Sequence, residues 1–161
     1  MAISFDTNHK PVIGEAEQLE YDLVVITADN ASPMTFTGTR TYVLGTENLI
    51  IIDPGPNSAA HLSAIMKCIG KRKVTDILLT HSHTDHSPLS RQLKAETGAR
   101  IIGFGSADEA RTTFMKKLSS SLDLGGEEGI DKDLLLDEKV YEKQILKLNN
   151  YRIEVVHTPG H

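Results

Sequence analysis

The stretch of residues 74–98, VTDILLTHSHTDHSPLSRQLKAETG, constrains the fold more than any other, because a strand, a polar loop and a helix follow one another directly. Its first seven residues form a short apolar run, which is typical of a buried strand. Ser87 is the expected helix N-cap, Pro88 suits the first helical position, and Gly98 suits the left-handed stop. The sequence therefore predicts an α/β fold with this loop at the carboxyl end of a buried strand, where such folds bind ligands.

The segments on either side continue this alternation of strands and helices within a single domain, residues 1–161. We predict strands at residues 41–44, 49–53, 74–80 and 99–104, helices at residues 58–69, 88–97 and 107–118, and a hairpin over residues 143–156. The first helix has Asn57 or Ser58 as its cap and Gly70 at its stop. The hairpin turns at Asn149–Asn150. Residues from about 119 to 138 are rich in glycine and acidic residues, which predicts a long loop.

Composition excludes several classes of protein. No apolar run approaches the ~20 residues that a membrane span needs, and the N-terminus lacks the basic and apolar stretches of a secretory signal. The single cysteine, Cys68, excludes an internal disulfide framework and favours a reducing cytoplasm. The net charge of −5, from 17 basic and 22 acidic residues, argues against a nucleic-acid scaffold. A small-molecule substrate is therefore the expected partner, with RNA as the alternative.

Three histidines and an aspartate lie within six residues, HSHTDH at 81–86, in a chain that has seven histidines in all. Residues two apart on an extended backbone point the same way, so His81 and His83 can aim at one point. Asp85 and His86 follow as the chain turns into the helix, and they can aim at a neighbouring point. Neutral imidazoles bind zinc well, and a carboxylate suits zinc, manganese or iron. The pattern predicts one or two Zn²⁺ ions, with Mn²⁺ or Fe²⁺ less favoured.

The signature THSHTDH resembles the T-H-x-H-x-D-H motif of the metallo-β-lactamase fold superfamily. The Ser87–Pro88 pair and the final TPGH, residues 158–161, are similar to the branch that contains β-lactamase-like protein 2. The upstream IIIDPG also resembles the family's strand that ends in Asp-x-Gly. The resemblance covers residues 36–161. It implies a mixed α/β sheet that forms the N-terminal half of an αββα sandwich, in which two such halves pack face to face.

The resemblance also implies roles for individual residues in the signature. His81, His83 and His161 match the ligands of a first metal ion. Asp85 and His86 match ligands of a second ion. The first set would then resemble a three-histidine zinc site with one open position.

Two further residues are implied to support these ligands. Asp53 matches a family aspartate that orients metal-bound histidines, a role that suits a carboxylate beside imidazoles, and Thr80 opens the signature. The alternative role for Asp53 is to begin the turn before Pro-Gly. We do not assign the remaining histidines to the site: His157 is expected in the apolar core, and His9 and His61 lie elsewhere.

The family pattern continues beyond residues 159–161 with a bridging aspartate and a final histidine, whereas this sequence ends at His161. We expect either a portion of a longer protein, incomplete at its C-terminus, or a chain whose partner supplies the second half. The predicted strands are apolar on both faces, and three helices can cover only one face. The other face would exceed the apolar patch that soluble monomers usually tolerate, so we expect self-association.

A metal-dependent hydrolase is the leading functional hypothesis. A bound metal lowers the pKa of water toward ~7, and the resulting hydroxide attacks an ester, a thioester or a phosphodiester. Asp85 is placed to orient that water or to accept its proton, so it is the predicted catalytic residue. The alternatives are a single-strand RNA endonuclease and a half-domain that binds metal without turning over any substrate.

Overall fold

A computed structural model describes residues 8–105 and 129–158 of the chain. Within these residues, seven strands form one sheet, two helices pack against it, and two further strands form a separate hairpin. The elements are β1 (Ala16–Glu20), β2 (Leu23–Thr27), β3 (Arg40–Leu44), β4 (Asn48–Ile52), α1 (Ala59–Ile69), β5 (Lys73–Leu79), α2 (Leu89–Thr97), β6 (Arg100–Gly103), β7 (Glu138–Lys139), β8 (Ile145–Leu148) and β9 (Tyr151–Glu154). The helix predicted at residues 107–118 lies outside the described residues.

The large sheet has strand order β1-β2-β3-β4-β5-β6-β7 and is mixed. Neighbouring strands are antiparallel from β1 to β4 and parallel from β4 to β7. Helix α1 connects β4 to β5, and α2 connects β5 to β6, as parallel neighbours require. This arrangement confirms the predicted α/β class with a mixed sheet. Strands β1 and β2 were not predicted, although β2 is an apolar run with three buried residues.

Both helices cover the same face of the sheet. Ile65 of α1 and Leu93 of α2 are fully buried, and they pack in one cluster with Ile51 and Ile77 from the central strands. Because β4 and β5 are parallel, their carboxyl ends lie at the same edge of the sheet. No helix within the described ranges is long and apolar enough to cross a bilayer.

The helix ends largely follow the predicted signals. The Ser58 hydroxyl accepts a hydrogen bond from the His61 amide at 3.3 Å, and Gly98 ends α2 in the left-handed conformation, with φ of 72°. The prediction that Ser87 caps α2 is wrong. Pro88 is the N-cap, and no side chain caps this helix. The Ser87 hydroxyl instead donates to Asp131, a residue far away in the sequence.

The second face of the sheet carries its own buried cluster, which the β8–β9 hairpin helps to form. Leu146 and Leu148 of the hairpin pack there against Ile50 and Ile102 of the large sheet. The prediction that this face lacks any cover within the chain is therefore wrong. The apolar run at residues 153–156 contributes its first two residues to β9 of the hairpin, which ends two residues before the predicted end.

The tip of the hairpin is fastened to the large sheet by polar contacts. The chain turns at Asn149, as predicted, and this residue has a positive φ of 50°. The Asn149 side-chain amide donates to the carbonyl of Asn48 at 3.2 Å and to the Thr75 hydroxyl at 3.1 Å. The Tyr151 hydroxyl donates to Asp22 at 2.6 Å, and this bond is the main reason that the pKa of Tyr151 rises to about 12.

Candidate metal centre

The predicted ligands lie on the loop between β5 and α2, beside the turn that ends β4. The parallel pairing of β4 with β5 brings these two ends together, and the Asp53 amide extends the pairing by donating to the Leu78 carbonyl at 2.9 Å. Asp53 then turns sharply, with φ of 48°, and Gly55 follows with φ of 95°. This turn directs the Asp53 side chain toward the histidine loop.

The Asp53 carboxylate is buried and accepts three hydrogen bonds from that loop. The donors are the Thr80 amide at 2.8 Å, the Thr80 hydroxyl at 2.6 Å and Nδ1 of His86 at 2.9 Å. The turn-initiating position of Asp53 and its contact with a histidine therefore occur together. The two alternatives raised by the sequence do not exclude each other.

These bonds select the tautomers of two histidines. In its neutral form His86 donates its Nδ1 proton to Asp53, and Nε2 then carries the lone pair. The single hydroxyl proton of Thr80 points to Asp53, so the Thr80 oxygen accepts from Nδ1 of His81 at 2.8 Å. A neutral imidazole at either position therefore presents the Nε2 lone pair, which is the form that binds a metal ion.

The structure brings His81, His83, Asp85 and His86 together. The ring centroid of His81 lies 4.7 Å from that of His83 and 4.1 Å from that of His86. His81, His83 and Asp85 each offer a ligand atom, and these atoms lie within 4.8 Å of one another. Asp53, His81 and His86 form a second group of this kind. His161, the other predicted ligand, lies outside the described residues.

Asp85 is held by residues that the sequence analysis missed. Its Oδ2 atom accepts from the Thr39 hydroxyl at 2.8 Å and lies 3.2 Å from Nε2 of His86. Asn30 in turn fixes Thr39, because its side chain accepts from the Thr39 amide at 2.8 Å and donates to the Thr39 hydroxyl at 3.0 Å. The loop between β2 and β3 therefore orients the predicted catalytic carboxylate.

The electrostatics of the loop favour a cation. Burial lowers the pKa of His86, but the hydrogen bond and charge of Asp53, with the charge of Asp85, outweigh it and raise that pKa above 6.5. The same two carboxylates would attract a divalent metal ion in place of the proton. Imidazole nitrogens beside carboxylate oxygens are a donor set that zinc accepts, so the residues present fit the predicted ion.

The remaining histidines lie away from this group. His61 is buried and bonds to Thr41, and burial lowers its pKa to about 4. His157 is exposed and stacks on Phe104, with ring centroids 4.5 Å apart. The prediction of a core position for His157 is wrong: the alternation of partly buried and exposed side chains continues to Val156, but His157 lies beyond the end of β9 and is exposed.

Comparison with known proteins agrees with the resemblance drawn from the signature. Residues 34–161 match the sequence model of the Metallo-beta-lactamase superfamily. The hydroxyacylglutathione hydrolase GloC of Haemophilus influenzae is 30% identical over 115 residues, which are 71% of this chain and 52% of that protein. The Beta-lactamase-like protein 2 homolog of Drosophila melanogaster is 31% identical over 160 residues, covering 93% of this chain and 49% of that protein. The chain thus spans about half the length of these curated relatives.

Solved structures show the same fold at lower identity. The native FEZ-1 metallo-beta-lactamase from Legionella gormanii superimposes with a TM-score of 0.68 at 17% sequence identity. The match covers 94% of this chain and 55% of that one. The mixed sheet with its helices on one face is therefore the arrangement found in these proteins.

Proposed function

Because the chain belongs to the metallo-beta-lactamase superfamily, we propose that it works as a zinc-dependent hydrolase of esters or thioesters. The observation that carries this proposal is the pair of overlapping donor groups that share His81. One group adds His83 and Asp85, and the other adds Asp53 and His86. Isolated surface histidines would not converge in this way or have their tautomers selected by buried partners.

In this proposal His81 and His83, together with His161, hold a first zinc ion, and Asp85 with His86 holds a second. Zn²⁺ is preferred to Mn²⁺ or Fe²⁺ because imidazole nitrogens dominate the donor set. When bound, zinc supplies Lewis acidity that lowers the pKa of water toward ~7.

Supporting residues fix the ligands before any ion arrives. Asp53 accepts the Nδ1 proton of His86 and Thr80 accepts that of His81, so Nε2 of each neutral ring is the atom that can bind an ion. We assign Asp85 the role of accepting the proton of the attacking water, since its Oδ2 atom is oriented by Thr39.

The substrate class rests on the relatives and on charge. The name of the Haemophilus relative specifies hydrolysis of a hydroxyacylglutathione, and an acyl group on the glutathione sulfur is a thioester. The net charge of −5 disfavours a phosphodiester or single-stranded RNA, which a basic surface would attract. The lone Cys68 favours a reducing cytoplasm as the compartment of the protein.

A second candidate is a metal-binding half-domain without turnover. It is favoured by the second donor pair, since Asp85 and His86 are, within the described residues, few ligands for tight binding of a second ion. Metal binding without hydrolysis would distinguish this candidate from the hydrolase.

Zinc binding is tested by elemental analysis and calorimetric titration of the chain. We expect about one tightly bound zinc ion per chain. The His83→Ala substitution should lower its affinity strongly, since it removes a ligand. The matched control, His9→Ala, changes a histidine that pairs with Glu17 at 3.2 Å and belongs to neither donor group, so it should leave binding unchanged. Equal zinc binding by His83→Ala and the wild type would contradict the assignment of ligands.

Hydrolysis is tested with an acyl-glutathione, p-nitrophenyl acetate and bis(p-nitrophenyl) phosphate. We expect turnover of the thioester and the ester. Asp85→Asn should lower kcat by about 10²–10⁴-fold while the first zinc ion stays bound, since the proton acceptor is lost and the three histidine ligands of that ion are intact. A zinc-loaded chain that cleaves none of the three substrates would support the half-domain without turnover.

A further inference from the structure

A short segment from a distant part of the sequence pairs with the histidine loop. The Thr84 amide donates to the Gly129 carbonyl at 2.8 Å, and the Asp131 amide donates to the Ser82 carbonyl at 2.8 Å. His83 lies between these two bonds and forms a single β-bridge with Ile130. Residues 129–131 therefore hold the backbone on both sides of one proposed zinc ligand.

The side chain of Asp131 ties this segment to the other end of the loop. The Asp131 side chain is 4% exposed, and its carboxylate accepts from the Ser87 hydroxyl at 2.9 Å. Arg91 of α2 donates to both carboxylate oxygens, at 2.8 and 2.9 Å, and the Asp133 amide donates at 3.2 Å. The buried charge is thus paired with a guanidinium and has hydrogen-bond partners on both oxygens.

These two sets of contacts meet at His83. The Asp131 amide bonds to the residue before His83, whereas its carboxylate bonds to Ser87, whose hydroxyl also lies 3.3 Å from the His83 carbonyl. A ligand loop that lacks regular secondary structure depends on such bonds for its position. Asp131 supplies such hydrogen bonds, although it lies 44 residues after Ser87 in the sequence.

We propose that Asp131 is a positioning residue that fixes His83 in the orientation required of a metal ligand. The inference rests on the proposed zinc site, but it concerns a residue that neither the signature nor the ligand set contains. Asp131 acts through the backbone of His83 and through Ser87 and Arg91, and it does not touch the ion. The carboxylate is needed because an amide would place a donor against the Arg91 guanidinium.

The test compares Asp131→Asn with Asp133→Asn in the whole chain. Asp133 is exposed and two residues away, and it contacts the Asp131 carboxylate through its backbone amide, so its substitution makes the same chemical change and leaves that contact in place. Hydrogen exchange of the Thr84 amide and the NMR resonances of the His83 ring report on the conformation of the histidine loop in the metal-free chain. Zinc titration and the visible spectrum of the cobalt-loaded chain report the ligand geometry.

We expect Asp131→Asn to speed exchange at Thr84 by on the order of tenfold, because the bond to Gly129 opens more often. The His83 resonances should shift, zinc affinity should fall by about 10–100-fold, and the cobalt spectrum should change. Asp133→Asn should match the wild type in all four measurements. A purely structural tie would lower the melting temperature and leave the cobalt spectrum of the folded protein unchanged.

A folded Asp131→Asn variant with wild-type exchange at Thr84 and unshifted His83 resonances overturns the inference. A wild type that binds no zinc would count against the proposed function and not against this inference. The two measurements without metal would still test whether Asp131 fixes the position of His83. If Asp131→Asn does not fold, the same measurements are made on Ser87→Ala, which removes the hydroxyl that donates to Asp131. Changes in the same direction support the inference, and unchanged His83 resonances and Thr84 exchange overturn it.

Discussion

At the scale of single residues, Asp53 connects the fold to the candidate metal centre. Its backbone adopts a positive φ, which costs free energy for a residue other than glycine. Two backbone contacts hold this conformation: the Asp53 amide donates to Leu78, and the Asp53 carbonyl accepts from the Thr41 hydroxyl at 2.7 Å. Asp53 can therefore present its carboxylate to both Thr80 and His86.

His61 supports this arrangement from inside the protein. The Thr41 hydroxyl proton points to Asp53, so Thr41 accepts a bond from Nε2 of His61 at 2.8 Å. The His61 ring also lies against Gly55, where an added Cβ would come within 3.0 Å of it. A neutral imidazole with its proton on Nε2 is therefore part of the packing under the Asp53 turn. Nδ1 of this ring is buried without a hydrogen-bond partner.

We predict that His61 makes the folded state less stable in mild acid. Burial lowers its pKa from 6.5 to about 4, so the unfolded chain binds the proton more readily than the folded chain does. The stabilising contribution is complete above pH 6.5 and is lost as the pH falls toward 4. The loss amounts to on the order of 3 kcal/mol. Urea unfolding of the wild type and of His61→Gln between pH 7 and pH 4 measures it.

The Gln variant can still donate to Thr41 but cannot be protonated, so its stability should fall less steeply across this pH range. His9→Gln serves as the control, because it removes a partly exposed histidine and should keep the wild-type pH dependence. Identical pH dependence in His61→Gln and the wild type would show that His61 is not the buried neutral group inferred from the structure.

At the scale of secondary structure elements, local sequence signals predict strands, loops and helices well, but they do not predict contacts between residues that are far apart in the sequence. The strand, loop and helix around residues 81–86 follow from apolar runs, Pro88 and Gly98, because these signals act within a few residues. Thr39 reaches Asp85 across 46 positions, and Asp131 reaches Ser87 across 44, so no local pattern indicates either contact.

The errors have the same origin. The alternation of inward and outward side chains placed His157 in the core, but His157 lies beyond the end of β9. The apolar face of the hairpin was predictable from its sequence. Its position on the second face of the large sheet depends on tertiary contacts such as those of Asn149, which a local pattern does not contain.

The hairpin tip provides the prediction at this scale. Asn149→Ala should lower the free energy of unfolding by about 1–2 kcal/mol, because it removes two bonds to the large sheet and puts alanine at a positive φ. Asn149→Gly removes the same bonds but accepts that φ, so it should cost less. Denaturant unfolding of both variants separates the bonds from the backbone conformation.

The matched control is Asn150→Ala, which changes the neighbouring exposed turn residue and should have a smaller effect than Asn149→Ala. If Asn149→Ala and Asn150→Ala are equally stable, the side-chain bonds of Asn149 do not hold the hairpin against the sheet.

At the scale of the whole molecule, the two faces of the large sheet are covered unequally. A seven-stranded sheet is roughly 29 Å wide, whereas the axes of two paired strands are only about 5 Å apart. The β8–β9 hairpin can therefore shield only part of its face. Apolar side chains on the hairpin and around it stay partly exposed; they are Leu44, Ile52, Leu78, Phe104, Tyr151, Ile153 and Val155. The sequence-based expectation of self-association consequently applies to the rim of this cluster, not to a bare face.

We predict that the chain self-associates through this rim at micromolar concentration, because partly exposed apolar side chains that lie together favour association. Light scattering should give an apparent mass that rises with concentration. Leu44→Glu places a charge at the rim and should shift the chain toward the monomer, with circular dichroism to verify folding. Leu135→Glu makes the same change at a side chain that is 77% exposed and outside this cluster, so it should associate as the wild type does. A wild type that stays monomeric at every concentration would contradict this prediction. It would mean that the hairpin covers this face well enough to prevent association.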